Sequence, residues 1–196
     1  MPTRVLILSA GIGEGHDLPA RMLSDGLAQL EPGVDAPVVD GLAAMGRMSA
    51  LIADDGSDFM FEEANWLFDL LYVLFARFGP TRSFVQWVTH LVGSRGLVRL
   101  VAEWQPDVVV STYPGVTEVL GHLRTKGRIT VPVVSAITDL AGLRYWVHPG
   151  VDLHLITEPE SVDEVRAIAP GARVVCVRGL TSAGFEEVIA QADARG

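Results

Sequence analysis

The residue types best suited to chemistry follow the first apolar run directly, in the stretch SAGIGEGHDLPARML, where Gly11, Gly13, Glu14 and Gly15 precede His16. Glycines let the backbone approach a ligand closely, and a helix starting just beyond them offers unpaired N–H groups and the positive end of a dipole. Pro19 is expected near the start of that helix, where its missing N–H costs little. An imidazole on the rim of such a turn needs little titration shift to act as a base near neutral pH. His16 is therefore the leading catalytic candidate, and capping the helix or satisfying the turn is its structural alternative. The turn is not a dinucleotide fingerprint. Counted from Gly11, G-x-G-x-x-G requires glycine where His16 stands, so Asp40 is not read as a ribose partner and a free-standing nucleotide-binding oxidoreductase is disfavoured. Neither a P-loop nor a G-x-S-x-G elbow occurs.

Two further groups lie at strand ends, where ligands of open α/β sheets gather. In VVVSTYPG, Ser111, Thr112 and Tyr113 leave a strand before Pro114. In SAITDLAGLRYWVHPGVD, Thr138 and Asp139 end a strand, and Trp146 and His148 fall in the loop beyond. Asp139 suits either a catalytic role or the capping of a helix. His90, His122 and His154 fall inside helix or strand patterns and read as packing or surface residues. No spacing among the five histidines suggests a metal site, and no cofactor is expected. Cys176 is the only cysteine, which rules out an internal disulfide and fits a reducing compartment. Within ARVVCVRGL it is expected to be a small buried hydrophobe.

These groups must be positioned by the apolar runs RVLILSA, DVVVST, VPVVSAIT, DLHLIT and RVVCVRG, with APVVD as a weaker strand. Continuous Val- and Ile-rich runs mark strands buried on both faces, hence a parallel sheet. Helix-compatible stretches lie at roughly 17–30, 42–53, 59–78, 83–103, 115–127 and 160–168, by hydrophobic periodicity. The alternation predicts one α/β domain with a Rossmann-like parallel sheet, helices on both faces and a helical insertion after the second strand. Within that insertion, FMFEEANWLFDLLYVLFARF carries Glu62, Glu63, Asp69 and Arg77, which argue against a membrane-spanning helix. Its Trp66, Phe68, Tyr72 and Phe75 either face lipid or fill the core. A net charge of -9 and a pI near 4.9 exclude nucleic acid as a partner and confine any membrane contact to a local patch. The N-terminal run reads as a strand and not a signal peptide, so a cytoplasmic location is expected.

ILSAGIGEGH, PDVVVSTYP, ITDL followed by YWVHPGVDLHLIT, and VRGLTSAGFEE together resemble the N-terminal domain of the GT-B glycosyltransferases that act on diacylglycerol, the monogalactosyldiacylglycerol synthases and diacylglycerol glucosyltransferases. The resemblance implies that residues 1–196 form an acceptor-side domain, with the donor-binding C-terminal domain absent. It implies an inverting transfer of a hexose from a UDP-sugar to diacylglycerol or a similar lipid, and a chain inactive without the donor domain. It also implies peripheral contact with the inner face of the cell membrane. The family's Gly-x-Gly-His turn falls on Gly13 to His16, its threonine–aspartate pair on Thr138 and Asp139, and its later aromatic and imidazole on Trp146 and His148. Catalytic roles are thus expected for His16 and Asp139, and substrate binding for Gly11, Gly13, Glu14, Gly15, Tyr113, Pro114, Thr138, Trp146 and His148. The alternative is a non-catalytic scaffold subunit that docks a separate donor-domain protein at the membrane.

Overall fold

The computed structural model describes residues 3–11, 14–46, 79–139 and 143–177. Strand β1 (Thr3–Ser9) is followed by helix α1 (Glu14–Leu30), then by two short strands, β2 (Val34–Asp35) and β3 (Val38–Asp40), and helix α2 (Gly41–Met45). Helix α3 (Gly79–Trp104) leads to β4 (Val108–Ser111), α4 (Pro114–Thr125), β5 (Val133–Ala136), a one-turn helix α5 (Leu143–Trp146) and β6 (Leu153–Ile156). A 3₁₀ turn at Pro159–Ser161, helix α6 (Val162–Ile168) and β7 (Val174–Cys176) complete the described chain.

All strand pairings are parallel, in the order β2-β1-β4-β5-β6-β7, with β3 also beside β1. β2 and β3 are one strand position broken at Ala36–Pro37. Pro37 has no N–H to give a ladder, but its carbonyl accepts from Ile7 N at 3.0 Å. The chain leaves β1 for β2 and β3 on one side and returns to β4 on the other. The carboxyl ends of β1 and β4 therefore flank a switch point, where such sheets open a crevice.

Alternation along β1 builds a core on each face. Leu6 and Leu8 join Val109, Val116, Leu120 and Leu123 on the side of α2, α3 and α4. Ile7 joins Ala20, Val110 and Ala136 on the side of α1. A third cluster places Trp146 with Ile137, Ile156 and Val165 under α5 and α6. Asp40 caps α2 by accepting from Ala43 N at 2.8 Å. Gly96 of α3 lies against the backbone of Ala44, a contact that leaves no room for a Cβ.

The expected sheet and its helices on both faces are present. Three local expectations are corrected. Helix α1 starts at residue 14 and not near 17, so Pro19 stands inside it, removing one i→i−4 bond, and His16 lies in its first turn. Trp146 belongs to a helix and not to a loop. Cys176 is exposed: among the described strands β7 is the last in the sheet order and pairs with β6 alone. The segment holding Trp66, Phe68, Tyr72 and Phe75 lies outside the described residues.

Candidate active site

Three strand exits converge on His16. Thr112, just after β4, holds the first turn of α1: its hydroxyl donates to the His16 carbonyl at 2.9 Å, while its N–H donates to Leu8 O at 2.9 Å. Thr138, just after β5, places its Oγ1 3.3 Å from His16 Nδ1. The Tyr113 ring meets the imidazole edge-on at a centroid separation of 5.1 Å, and the Trp146 ring lies tilted at 5.8 Å. His16 is thus flanked by one hydroxyl and two aromatic rings, and it is half-buried. Burial lowers its pKa below the ordinary 6.5, against the opposing pull of its backbone contact with Thr112 and of the Asp139 charge. His16 therefore stays neutral, and able to accept a proton, at neutral pH.

Local sequence explains this arrangement. Tyr113 stands at the N-cap of α4 with Pro114 in its first turn, where the fixed proline φ favours a helix start. Ser111 and Thr117 tie this corner together, with Thr117 Oγ1 donating to Ser111 Oγ at 2.9 Å. Burial and the nearby Asp40 charge both raise the Tyr113 pKa, so its hydroxyl keeps its proton. Trp146 is 1% exposed and is therefore as much a core residue as a wall of the site.

Tyr113 and Trp146 also line a cleft of about 250 Å³ together with Pro114, Glu118, Asp139 and Tyr145. His16 borders this cleft through those two rings and does not form its wall. Among the expected site residues, the structure gathers His16, Tyr113, Pro114, Thr138, Asp139 and Trp146 at this rim. Gly11 ends the β1 exit, where a Cβ would stand 3.2 Å from Asp40 Oδ2. Gly15 is exposed in the first turn of α1, Glu14 begins that helix, and Gly13 lies outside the described residues.

His148 stands apart from this group. It packs on Gly121 of α4, where only a glycine leaves room for the imidazole, and its Nδ1 accepts from Gly150 N at 2.9 Å. It faces a second cleft with His90 and Glu118. Glu118 is the residue that reading the sequence missed. Its signal in the sequence is a lone carboxylate in the run VTEVL, and the structure buries it between Thr117 and Val119. No group of three or more His, Cys, Asp or Glu among the described residues is arranged to hold a metal ion. No helix among them is long and apolar enough to cross a membrane.

The chain is 28% identical over 156 residues to a processive diacylglycerol beta-glucosyltransferase of Bacillus subtilis (strain 168), covering 78% of this chain and 39% of that protein. It is 25% identical over 181 residues to the enzyme of the same description from Bacillus cytotoxicus, covering 88% of this chain and 43% of the relative. The chain thus spans about two fifths of the length of these curated relatives. A sequence profile described as monogalactosyldiacylglycerol (MGDG) synthase matches residues 40–178, from the Asp40 cap through the Thr138–Asp139 strand end to the residue after the β7 exit. With that match covering most of its length, the chain belongs to the monogalactosyldiacylglycerol synthase family.

Proposed function

We propose that this chain is the acceptor-binding half of an inverting glycosyltransferase that moves a hexose from a UDP-sugar to diacylglycerol or a similar lipid. The observation that carries the proposal is the placement of the His16 imidazole between Thr138, Tyr113 and Trp146 at the edge of an aromatic cleft. The relatives' description as diacylglycerol glucosyltransferases supplies the substrate class.

An acceptor hydroxyl must lose its proton as it attacks the anomeric carbon. His16 is the base in this reading: Nδ1–H donates to Thr138 Oγ1, and the lone pair of Nε2 takes the hydroxyl proton. Asp139 orients the acceptor and stabilises the imidazolium as it forms. In this reading the glycine-rich stretch ahead of α1 binds the sugar diphosphate, which a helix N-terminus suits. The aromatic walls exclude water and receive the apolar part of the lipid.

Contact with the bilayer is part of the same reading. Phe84, Trp87 and Leu91 are 62%, 59% and 63% exposed along one face of α3, and Arg95 and Arg99 continue that face. Phe84 and Trp87 stack at 6.1 Å. Aromatic rings beside guanidinium groups suit the head-group layer of a membrane, where rings sit at the interface and cations meet phosphates.

The test is transfer of radiolabelled sugar from UDP-glucose or UDP-galactose to dioctanoylglycerol, with the 196-residue chain alone and joined to a donor-binding domain. Transfer only in the joined form is the expected result. Transfer by the chain alone contradicts the half-enzyme reading, and no transfer in a folded, joined form contradicts the activity.

A further inference from the structure

Glu118 and His122 stand four residues apart on α4, a spacing that places both on one face of the helix. His90 of α3 meets the two together. Its Nε2 lies 3.0 Å from Glu118 Oε1, and its ring stacks on the His122 ring at a centroid separation of 3.9 Å, 19° from parallel. His148, packed on Gly121 of the same helix, brings a third imidazole into the group. The other charges near it among the described residues are Lys126, at the end of α4, and Arg144, which lines the second cleft with His90 and Glu118.

One carboxylate thus serves three imidazoles. Glu118 is 4% exposed, and a buried carboxylate is costly without a partner, so a first proton on the stacked rings is balanced by it. A second is not, and two imidazolium rings 3.9 Å apart repel. His148 is a poor site for that second proton. Its Nδ1 already accepts from Gly150 N at 2.9 Å, a bond that protonation there would break. Burial lowers the pKa of both His122 and His148 from the ordinary 6.5, and the His90 charge acts in the same direction on both, against the pull of Glu118.

Helix α3 is packed unevenly on either side of His90. Beyond it the helix is fixed: a Cβ on Gly93 would stand 2.5 Å from Met45 Cε and 3.2 Å from Val119 Cγ2, and Leu97 is fully buried. Before it, Phe84 and Trp87 are exposed, and Val85, Gln86 and Thr89 line the aromatic cleft with Pro114 and Glu118 of α4. A force between His90 and His122 therefore acts where the anchored part of α3 gives way to the looser part.

We propose that the His90–His122 stack beside Glu118 is a proton-driven switch: one proton holds α3 against α4, and a second parts them, lifting the earlier half of α3 about the Gly93 contact and widening the aromatic cleft. The switch depends on no particular occupant of that cleft, so its test is separate from that of the acceptor-half reading.

The experiment follows the chain by NMR from pH 8 to 4, with histidine ring ¹H–¹³C shifts reading each charge and NOEs reading the contacts. The ring-to-ring NOEs between His90 and His122 are expected to vanish as the second of the two rings charges, while those between Gly93 and Val119 persist. His122→Phe keeps a ring that cannot charge and should keep the 90–122 contact to the lowest pH. His90→Phe should raise the midpoint of His122 by about one pH unit, the scale of a coupled pair, and it decides the matter if His122→Phe fails to fold. Ring contacts that survive to pH 4 in the unaltered chain overturn the proposal. So does simultaneous loss of the Gly93–Val119 contact, which is acid unfolding, and so does a His122 midpoint indifferent to His90→Phe.

Discussion

The rim of the sheet holds a half-buried histidine and its interior a fully buried one, and the two differ in what surrounds the imidazole. At the rim, His16 has a hydroxyl 3.3 Å away, two ring contacts and a cleft beside it. In the interior, His154 of β6 is fully buried, with no hydrogen-bond partner at either ring nitrogen. Burial pushes both below the usual histidine pKa. A lowered pKa is therefore no sign of function by itself, since a sealed residue shows the same shift. His16 has a cleft beside the rings that flank it and a hydroxyl near Nδ1, and His154 has neither.

Substitutions can break this comparison. The largest stability effect is expected at Trp146, which is both a wall of the rim and a core residue: Trp146→Ala should cost about 3–5 kcal/mol by chemical denaturation. A loss below about 1 kcal/mol would make it a site residue only. His154→Leu should work in the opposite direction. It removes two unpartnered buried nitrogens while roughly keeping the volume, so it should leave stability unchanged or raise it by about 1 kcal/mol. A loss larger than that would mean that His154 has a structural partner.

How much of this was legible beforehand varies by element. The runs around β1, β4, β5 and β6 declare a parallel sheet because strands covered on both faces need no polar alternation. The one-turn helix at Leu143–Trp146 is too short to show a 3.6-residue period, so Trp146 looked like a loop residue. Cys176 misled because an apolar run does not reveal whether its strand lies at the centre or the edge of a sheet. The glycine turn makes His16 a candidate in the sequence. Its surroundings are not legible there, since Thr138 is 122 residues away in sequence and the contact depends on the β1-β4-β5 order.

The pH dependence of stability sharpens the contrast more gently. His16, His148 and His154 all have pKa values lowered by burial from the model-peptide 6.5. The unfolded chain therefore takes up protons more readily than the folded one below that pH. Their contribution to stability should be full above about pH 6.5 and lost as the pH falls through the folded values. The urea midpoint should accordingly drop between pH 7.5 and 5.5, and His154→Leu should flatten part of that drop. A midpoint that rises on acidification contradicts the burial account.

The most direct test of the central claim is His16→Ala in the chain joined to a donor-binding domain, with kcat at saturating acceptor and the thermal midpoint measured on the same preparation. A positioned base typically contributes about 10²- to 10⁴-fold, so kcat should fall by that range. The midpoint should move only slightly, because the side chain is half-buried at a helix entrance and supports little core. Asp139→Asn, as an orienting group, should lose less. Near-normal turnover in His16→Ala, or a falling midpoint with turnover preserved in what folds, would show that His16 is a structural residue and that the base lies elsewhere.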